Sequence, residues 1–230
     1  MKSSDFWSGA TKTSAVTAVP QGKFITFEGG EGAGKSTLIK MLSEYLKKQH
    51  KDVVLTREPG GSIGAEELRR LLVEGEPGRW DGVTEALLHF AARRDHVERT
   101  IRPALARGAW VLCDRFVDST VAYQGYGHQI SRSVIDSLRQ IAIGDFAPDL
   151  TLILDVPVEI GLSRAASRGE GGERYERMDR NFHQRLRDGF LAIAAEQPAR
   201  CALINADRDI EAVSQDILAV VSERLSVTPS

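Results

Sequence analysis

A chain of 230 residues with a formal net charge of −2, 42% hydrophobic and 27% charged residues, has the balance of one α/β domain with a full core. Without a basic surplus it is no general nucleic-acid binder, so any cations that hold phosphates must be gathered locally. Its two cysteines, Cys113 and Cys201, offer neither a disulfide framework nor metal-ligand spacing, and no apolar run has membrane-spanning or signal-peptide character, which predicts a cytoplasmic protein.

Residues 1–22 are rich in Ser, Thr and Ala without a sustained period and read as a disordered extension, followed by a single domain over 23–230. Lys23–Phe27 alternates as a short strand, and Thr37–Leu46 carries apolar residues at helical spacing. Between them stands Gly29-Gly30-Glu31-Gly32-Ala33-Gly34-Lys35-Ser36, which fits G-x-x-x-x-G-K-[ST]. Strand, glycine loop and helix start aim consecutive N–H groups and a positive helix end at a polyphosphate. Gly29 through Thr37 is therefore the predicted nucleoside-triphosphate-binding stretch, with Lys35 on the β- and γ-phosphates and the Ser36 hydroxyl on Mg²⁺.

Asp52–Thr56 reads as a second strand, Ser62–Val73 as a helix capped by Ser62, and Val83 to about Ala106 as one long helix closed by Gly108. Ala109–Cys113, nearly all apolar, is a third strand buried on both faces. Helices follow at Val117–Gln124 and Ser131–Ile143, then a fourth strand at Leu150–Leu154 and a helix opened by Pro157. A charged segment, Arg168–Arg180, leads into a helix ending before Pro198; Ala202–Ile204 is the fifth strand and Ile210–Leu225 the last helix. Repeated strand–helix units imply a doubly wound, five-stranded parallel sheet with helices on both faces.

The third strand ends in Asp114-Arg115, where open α/β sheets bind ligands. Asp114 suits Mg²⁺ or its water shell, and Arg115 a bidentate phosphate contact. No Asn/Thr-Lys-x-Asp guanine-reading motif occurs, and no strand ends in Asp-Glu, so neither a GTPase switch nor a motor ATPase is indicated.

Phe27-Glu28 with the glycine loop, Thr56-Arg57-Glu58-Pro59-Gly60-Gly61, Phe90-Ala91-Ala92-Arg93, Asp114-Arg115-Phe116 with Ser119, Ala122-Tyr123-Gln124-Gly125 and Asp149–Val156 succeed one another in that order. The chain from about Lys23 to about Leu225 thereby closely resembles the bacterial thymidylate kinases. The resemblance implies a P-loop kinase fold with a mobile lid at about 167–180, transfer of the γ-phosphoryl group of ATP to dTMP with Mg²⁺, and a homodimer that binds neither nucleic acid nor membrane. It implies that Lys35 and Arg115, with Arg168 and Arg174 from the lid, neutralise the transferring phosphoryl group. Arg57, Pro59, Arg115 and Ser119 would meet the acceptor, with Phe90 stacked on thymine and Arg93, or Arg94 one position on, bonded to a base carbonyl. Tyr123 would pack on the sugar, Thr120 and Gln124 would meet the base edge, and Glu31 the 3′-hydroxyl. Phe90 read on its own is equally a core residue with Val97 and Ile101. Glu28, Asp118 and Asp155 are structural or metal-linked, and His128 and His183 read as surface residues. The rivals are a kinase for another nucleoside monophosphate and a nucleotide-dependent switch module.

Overall fold

The computed structural model describes residues 22–76, 78–167, 175 and 177–227. The expected N-terminal extension, apart from Gly22, lies outside the described residues, as do Arg168, Arg174 and most of the expected lid.

Alternation along β1 (Lys23–Glu28) sorts its side chains between two layers. Ile25 and Phe27 join a core with Leu38, Leu42 and Leu46 of α1 (Lys35–Lys48) and Val213, Ile217 and Val221 of α9 (Ile210–Leu225). Phe24 faces the opposite core, built with Phe90, Val97, Ile101, Phe116 and Phe190. Thr26 and Glu28, on the Phe24 side by the same period of two, bring polar groups into that second layer. β1 is central. β3 (Trp110–Asp114) and β4 (Leu150–Asp155) flank it, with β2 (Val53–Arg57) and β5 (Cys201–Asn205) at the edges, giving the parallel order β2-β3-β1-β4-β5. The order reverses at β1, so the carboxyl ends of β1 and β3 open on a crevice.

The remaining helices are α2 (Ile63–Val73), α3 (Gly82–His96), α4 (Arg102–Ala106), α5 (Val117–Thr120), α6 (Arg132–Ile143), α7 (Val158–Ala166) and α8 (Arg180–Glu196). The helix expected to run unbroken to Ala106 widens into a π-helical turn at Val97–Ile101 before α4. Pro103 accounts for it: its nitrogen has no hydrogen to donate four residues back, and its ring crowds that carbonyl. Gly108 does close the segment, with φ of 86° and its N–H on the Leu105 carbonyl at 2.9 Å. The helix expected at Val117–Gln124 passes after α5 into a second π-helical turn, Val121–Gly127, where Gly125 and Gly127 remove the α preference.

Two expected helix starts differ in detail. Ser62 precedes α2, but its hydroxyl donates to Asp95 Oδ2 at 2.6 Å, while Glu66 Oε1 accepts the Gly61 N–H at 2.9 Å. Pro157 stands immediately before α7 rather than inside its first turn.

Candidate active site

The glycine loop leaves β1 and folds back over the start of α1. Gly32 (φ 67°) and Gly34 (φ 86°) take left-handed conformations, and a Cβ on Gly32 would stand 2.0 Å from the Gly161 carbonyl oxygen. The loop's backbone is thus free to curl around an anion, with the N-terminus of α1 beneath it. Lys35 is buried at that terminus and donates to the carbonyls of Gly29 (3.1 Å) and Gly30 (2.9 Å). Burial, with the charge of Arg115, lowers its pKa, against the pull of Asp114, Glu31 and Glu28. Ser36 is exposed beside it and donates to Asp114 Oδ2 at 3.3 Å. Thr37 comes next on the exposed side of α1, outside the cleft lining.

Arg115, at a left-handed φ of 68°, turns back from the end of β3 across the loop. It donates to the Gly29 carbonyl (3.0 Å), the Ser119 hydroxyl (3.3 Å) and Glu31 (3.0 Å). Glu31 also accepts the Tyr123 hydroxyl at 2.5 Å. Burial by itself raises the Glu31 carboxyl, but the charges of Arg115 and Lys35 and the Tyr123 hydroxyl outweigh it and bring it to about 2. The repulsion between a loop carboxylate and a triphosphate is therefore offset inside the protein. Beneath this layer Glu28 accepts the Phe116 N–H (2.7 Å) and the Ser119 hydroxyl (2.5 Å), fixing the turn that presents Arg115. Burial and the neighbouring Asp118 charge push Glu28 up to about 7. Asp118 pairs with Arg200 and Asp155 with Arg187, so both are engaged in ion pairs.

A cleft of about 390 Å³ runs from this loop toward α3. Arg57, Pro59, Arg93, Ser119, Thr120, Tyr123 and Gln124 all line it, together with Asp114 and Arg115. Arg57 stands exposed at the rim, bonded to Glu66. Arg93 is 2% exposed: Nε donates to Glu58 at 2.7 Å, and Nη2 to the Phe116 carbonyl (2.9 Å) and Thr120 Oγ1 (3.1 Å). Nη1 has no hydrogen-bond partner among the described residues. Gln124, fully buried, donates from Nε2 to Glu85 at 3.1 Å, while its Oε1 has no partner among the described residues. Toward α3 the cleft wall thus holds, among the described residues, a donor on Arg93 and an acceptor on Gln124 that no protein group uses. Arg94, the alternative at the base, instead faces outward to the Ala142 carbonyl and Glu98.

Phe90 is not brought to the cleft. It packs in the core with Val97 and Ile101 and supports the Arg93 guanidinium from behind, 4.8 Å from its ring. His89 lines the cleft in its place, with Nε2 3.1 Å from the Tyr175 hydroxyl. Glu85, His89 and Arg93 recur every four residues and form one stripe of α3, which turns the intervening Phe90 toward the sheet. That polar stripe is the pattern in the sequence that distinguishes His89 from Phe90. His183 is buried rather than superficial, because it shares the inward stripe of α8 with Leu186, Phe190 and Ile193; His128 approaches Glu85 at 3.4 Å.

Two supporting groups have no role assigned from the sequence. Glu58 bridges Arg93 and His96 (2.9 Å to Nδ1), and His96 Nε2 lies 2.7 Å from Thr56 Oγ1. Arg69 holds the Pro59 carbonyl at 2.9 Å, setting the cleft edge beside Arg57.

The sequence model of the family described as thymidylate kinase matches residues 27–217. The thymidylate kinase of Caulobacter vibrioides is 56% identical over 207 residues, covering 90% of this chain and 99% of its own length. The thymidylate kinase of Bradyrhizobium sp. strain ORS 278 is 55% identical over 207 residues, covering 89% of this chain and 92% of its own. Among solved structures, the thymidylate kinase of Ehrlichia chaffeensis superimposes with a TM-score of 0.72 at 38% identity, over 88% of this chain and all of that one.

Proposed function

This chain belongs to the thymidylate kinase family, and from that premise we propose how its cleft divides the work of phosphorylating dTMP to dTDP at the expense of ATP. The observation that carries the assignment is the pair of unpartnered buried atoms at the α3 end. Thymine presents O4 as an acceptor beside N3–H as a donor; Arg93 Nη1 and Gln124 Oε1 supply the complementary donor and acceptor. His89 takes the position along the cleft expected of Phe90, offering a ring to the base. Tyr123 borders the sugar, with Glu31 within reach of the 3′-hydroxyl; Ser119 completes that wall, and Thr120, bonded to Arg93, stands at the base edge. Arg57, Pro59 and Arg115 receive the acceptor phosphate.

At the other end ATP lies along Gly29–Thr37, with Lys35 on the β- and γ-phosphates. Phosphoryl transfer asks the protein mainly to align two phosphate chains and neutralise them, and Lys35 and Arg115 are the described cations suited to that. Arg168 and Arg174 are proposed as further cations. Ser36 and Asp114 fit Mg²⁺: they lie together at the loop, both offer hard oxygen, and Asp114 Oδ1 is buried without a partner among the described residues. Ser36 and Asp114 would hold Mg²⁺ there, and it would supply charge neutralisation to the phosphates.

We propose further that one domain spans 23–230 with a closing segment at about 167–180, and that the enzyme works in the cytoplasm as a homodimer. Ile63, Leu71, Val83, Leu87 and Ile141 are exposed on the neighbouring helices α2, α3 and α6, an apolar face suited to a second copy. No helix among the described residues is long and apolar enough to cross a membrane. The test of the cleft assignment is ADP release from ATP and Mg²⁺ with a panel of nucleoside monophosphates. Turnover should be confined largely to dTMP, and Arg93→Ala should raise its KM at least tenfold; unchanged KM would remove Arg93 from the base.

A further inference from the structure

Glu85 lies outside the cleft lining and is fully buried, yet it touches the residue assigned to the base edge. Its Oε2 accepts Gln124 Nε2 at 3.1 Å and the Tyr175 hydroxyl at 3.0 Å, and His128 Nε2 stands 3.4 Å from the same oxygen. A carboxylate is an acceptor on every side, whereas a primary amide has a donor end and an acceptor end of nearly equal shape. Packing alone therefore leaves the two orientations of Gln124 almost equivalent. Bonding to Glu85 does not: rotated by half a turn, the amide would set its own oxygen against Oε2 at hydrogen-bond distance, two acceptors with no proton between them. The Gln124 amide nitrogen also lies 3.3 Å from the Tyr175 hydroxyl, whose proton goes to Glu85, so this second contact again calls for a donor.

We propose that Glu85 is a positioning residue that fixes the direction of the Gln124 amide and so makes the cleft wall an acceptor, selecting a base whose ring nitrogen carries hydrogen. The proposal rests on the base reading of Arg93 and Gln124 and deepens it. Thymine has N3–H and matches; cytosine has a bare N3 and an amino group at position 4, mismatching both Gln124 Oε1 and Arg93 Nη1. A freely turning Gln124 would satisfy cytosine N3 half the time, so discrimination at this contact depends on a carboxylate that no nucleotide touches.

The experiment measures kcat/KM for dTMP and for dCMP in the full-length wild type, Glu85→Gln and Gln124→Ala. A glutamine at position 85 can present either amide end to Gln124 and releases its orientation. Glu85→Gln should lower the dTMP-to-dCMP ratio at least tenfold, about 1.4 kcal/mol, chiefly through a higher KM for dTMP, with Gln124→Ala lowering it similarly. If Gln124→Ala changes the ratio but Glu85→Gln slows both acceptors equally, Glu85 is only a packing group and the base reading stands. If Gln124→Ala leaves the ratio untouched, the base reading fails and the proposal with it. Should Glu85→Gln not fold, wild-type protein answers by NMR. The Gln124 side-chain amide protons, identified by their loss in Gln124→Ala, should exchange slowly with water before and after dTMP is added. Exchange at the rate of free amide in the nucleotide-free protein would overturn the fixed orientation.

Discussion

The two ends of the cleft are built on opposite plans. At the proposed phosphate end one short stretch of chain supplies most of the groups: Gly29–Ser36 provides backbone donors, a buried lysine and a hydroxyl, while Asp114 and Arg115 arrive from the end of β3 and Arg57 from the end of β2. At the base end nothing is contiguous. Arg93 is held by Glu58 from the loop after β2, by Thr120 on α5 and by the Phe116 carbonyl, and Gln124 by Glu85 on α3. Charge obeys the same division. Glu31 and Arg115 form an ion pair that stays partly open to water, whereas Arg93 and Glu58 are 2% and 3% exposed in their side chains. An anion can be met by dipoles and cations close to solvent, but a neutral base edge is told from its rivals only where water cannot substitute for the correct partner.

If the base end is a buried polar assembly, its largest vulnerability is stability. Glu58→Ala strands Arg93 in the interior and should lower the unfolding free energy by about 3 to 5 kcal/mol, as when one member of a buried pair is removed. Urea denaturation checks it; a loss below about 1 kcal/mol would place the Arg93–Glu58 pair in the same class as exposed ion pairs and erase the contrast.

The phosphate end should fail the other way. Lys35→Ala removes the charge proposed to act in the transition state and should cut kcat by about a hundredfold or more, roughly 2.7 kcal/mol, while leaving the base end assembled. A variant with normal kcat would show that Lys35 is not the cation of the transfer.

The smallest effect sharpens the comparison within the phosphate end itself. Glu31 is held at about 2 against an ordinary 4.5, so its ionised form stabilises the fold. That contribution is complete above about pH 4.5 and disappears as the pH falls through about 2. The stability difference between wild type and Glu31→Gln should therefore shrink by roughly 1 kcal/mol between pH 6 and pH 3.5. Comparing the two proteins at each pH cancels the other carboxylates, among them Glu28, whose raised value acts with the opposite sign. A difference that stays constant through this range would mean that Arg115 and Tyr123 do not hold Glu31 as an anion.

Legibility in the sequence divides along the same line. The five strands and the glycine loop are legible because their signals are local: alternation in Lys23–Phe27, an apolar run at Ala109–Cys113, and an octapeptide whose glycines and lysine act within a few residues of one another. Arg93, Thr120, Tyr123 and Gln124 come from the family resemblance, and all four line the cleft. Phe90 does not, because a helix rotates about 100° per residue and a one-position error exchanges cleft for core. Glu58, Glu85 and His96 act through partners 35 to 39 residues away, and no spacing rule reaches that far. Pro103 is plain in the sequence, but apolar periodicity alone carries the helix straight through it and misses the widened turn before it.

The π-helical turn at Val121–Gly127 has a consequence for how this sequence can vary. Such a turn carries one residue more than an α-helix needs to reach the same point. Removing any one residue between Gly125 and Gly127 would leave every side chain of the cleft chemically intact and yield a more regular helix. It would also move Gly127, where a Cβ would meet the Phe182 ring at 2.5 Å, from its place against that ring of α8. Substitutions here are graded in their harm, but a change in length is not: the stretch tolerates rewriting far better than it tolerates being shortened.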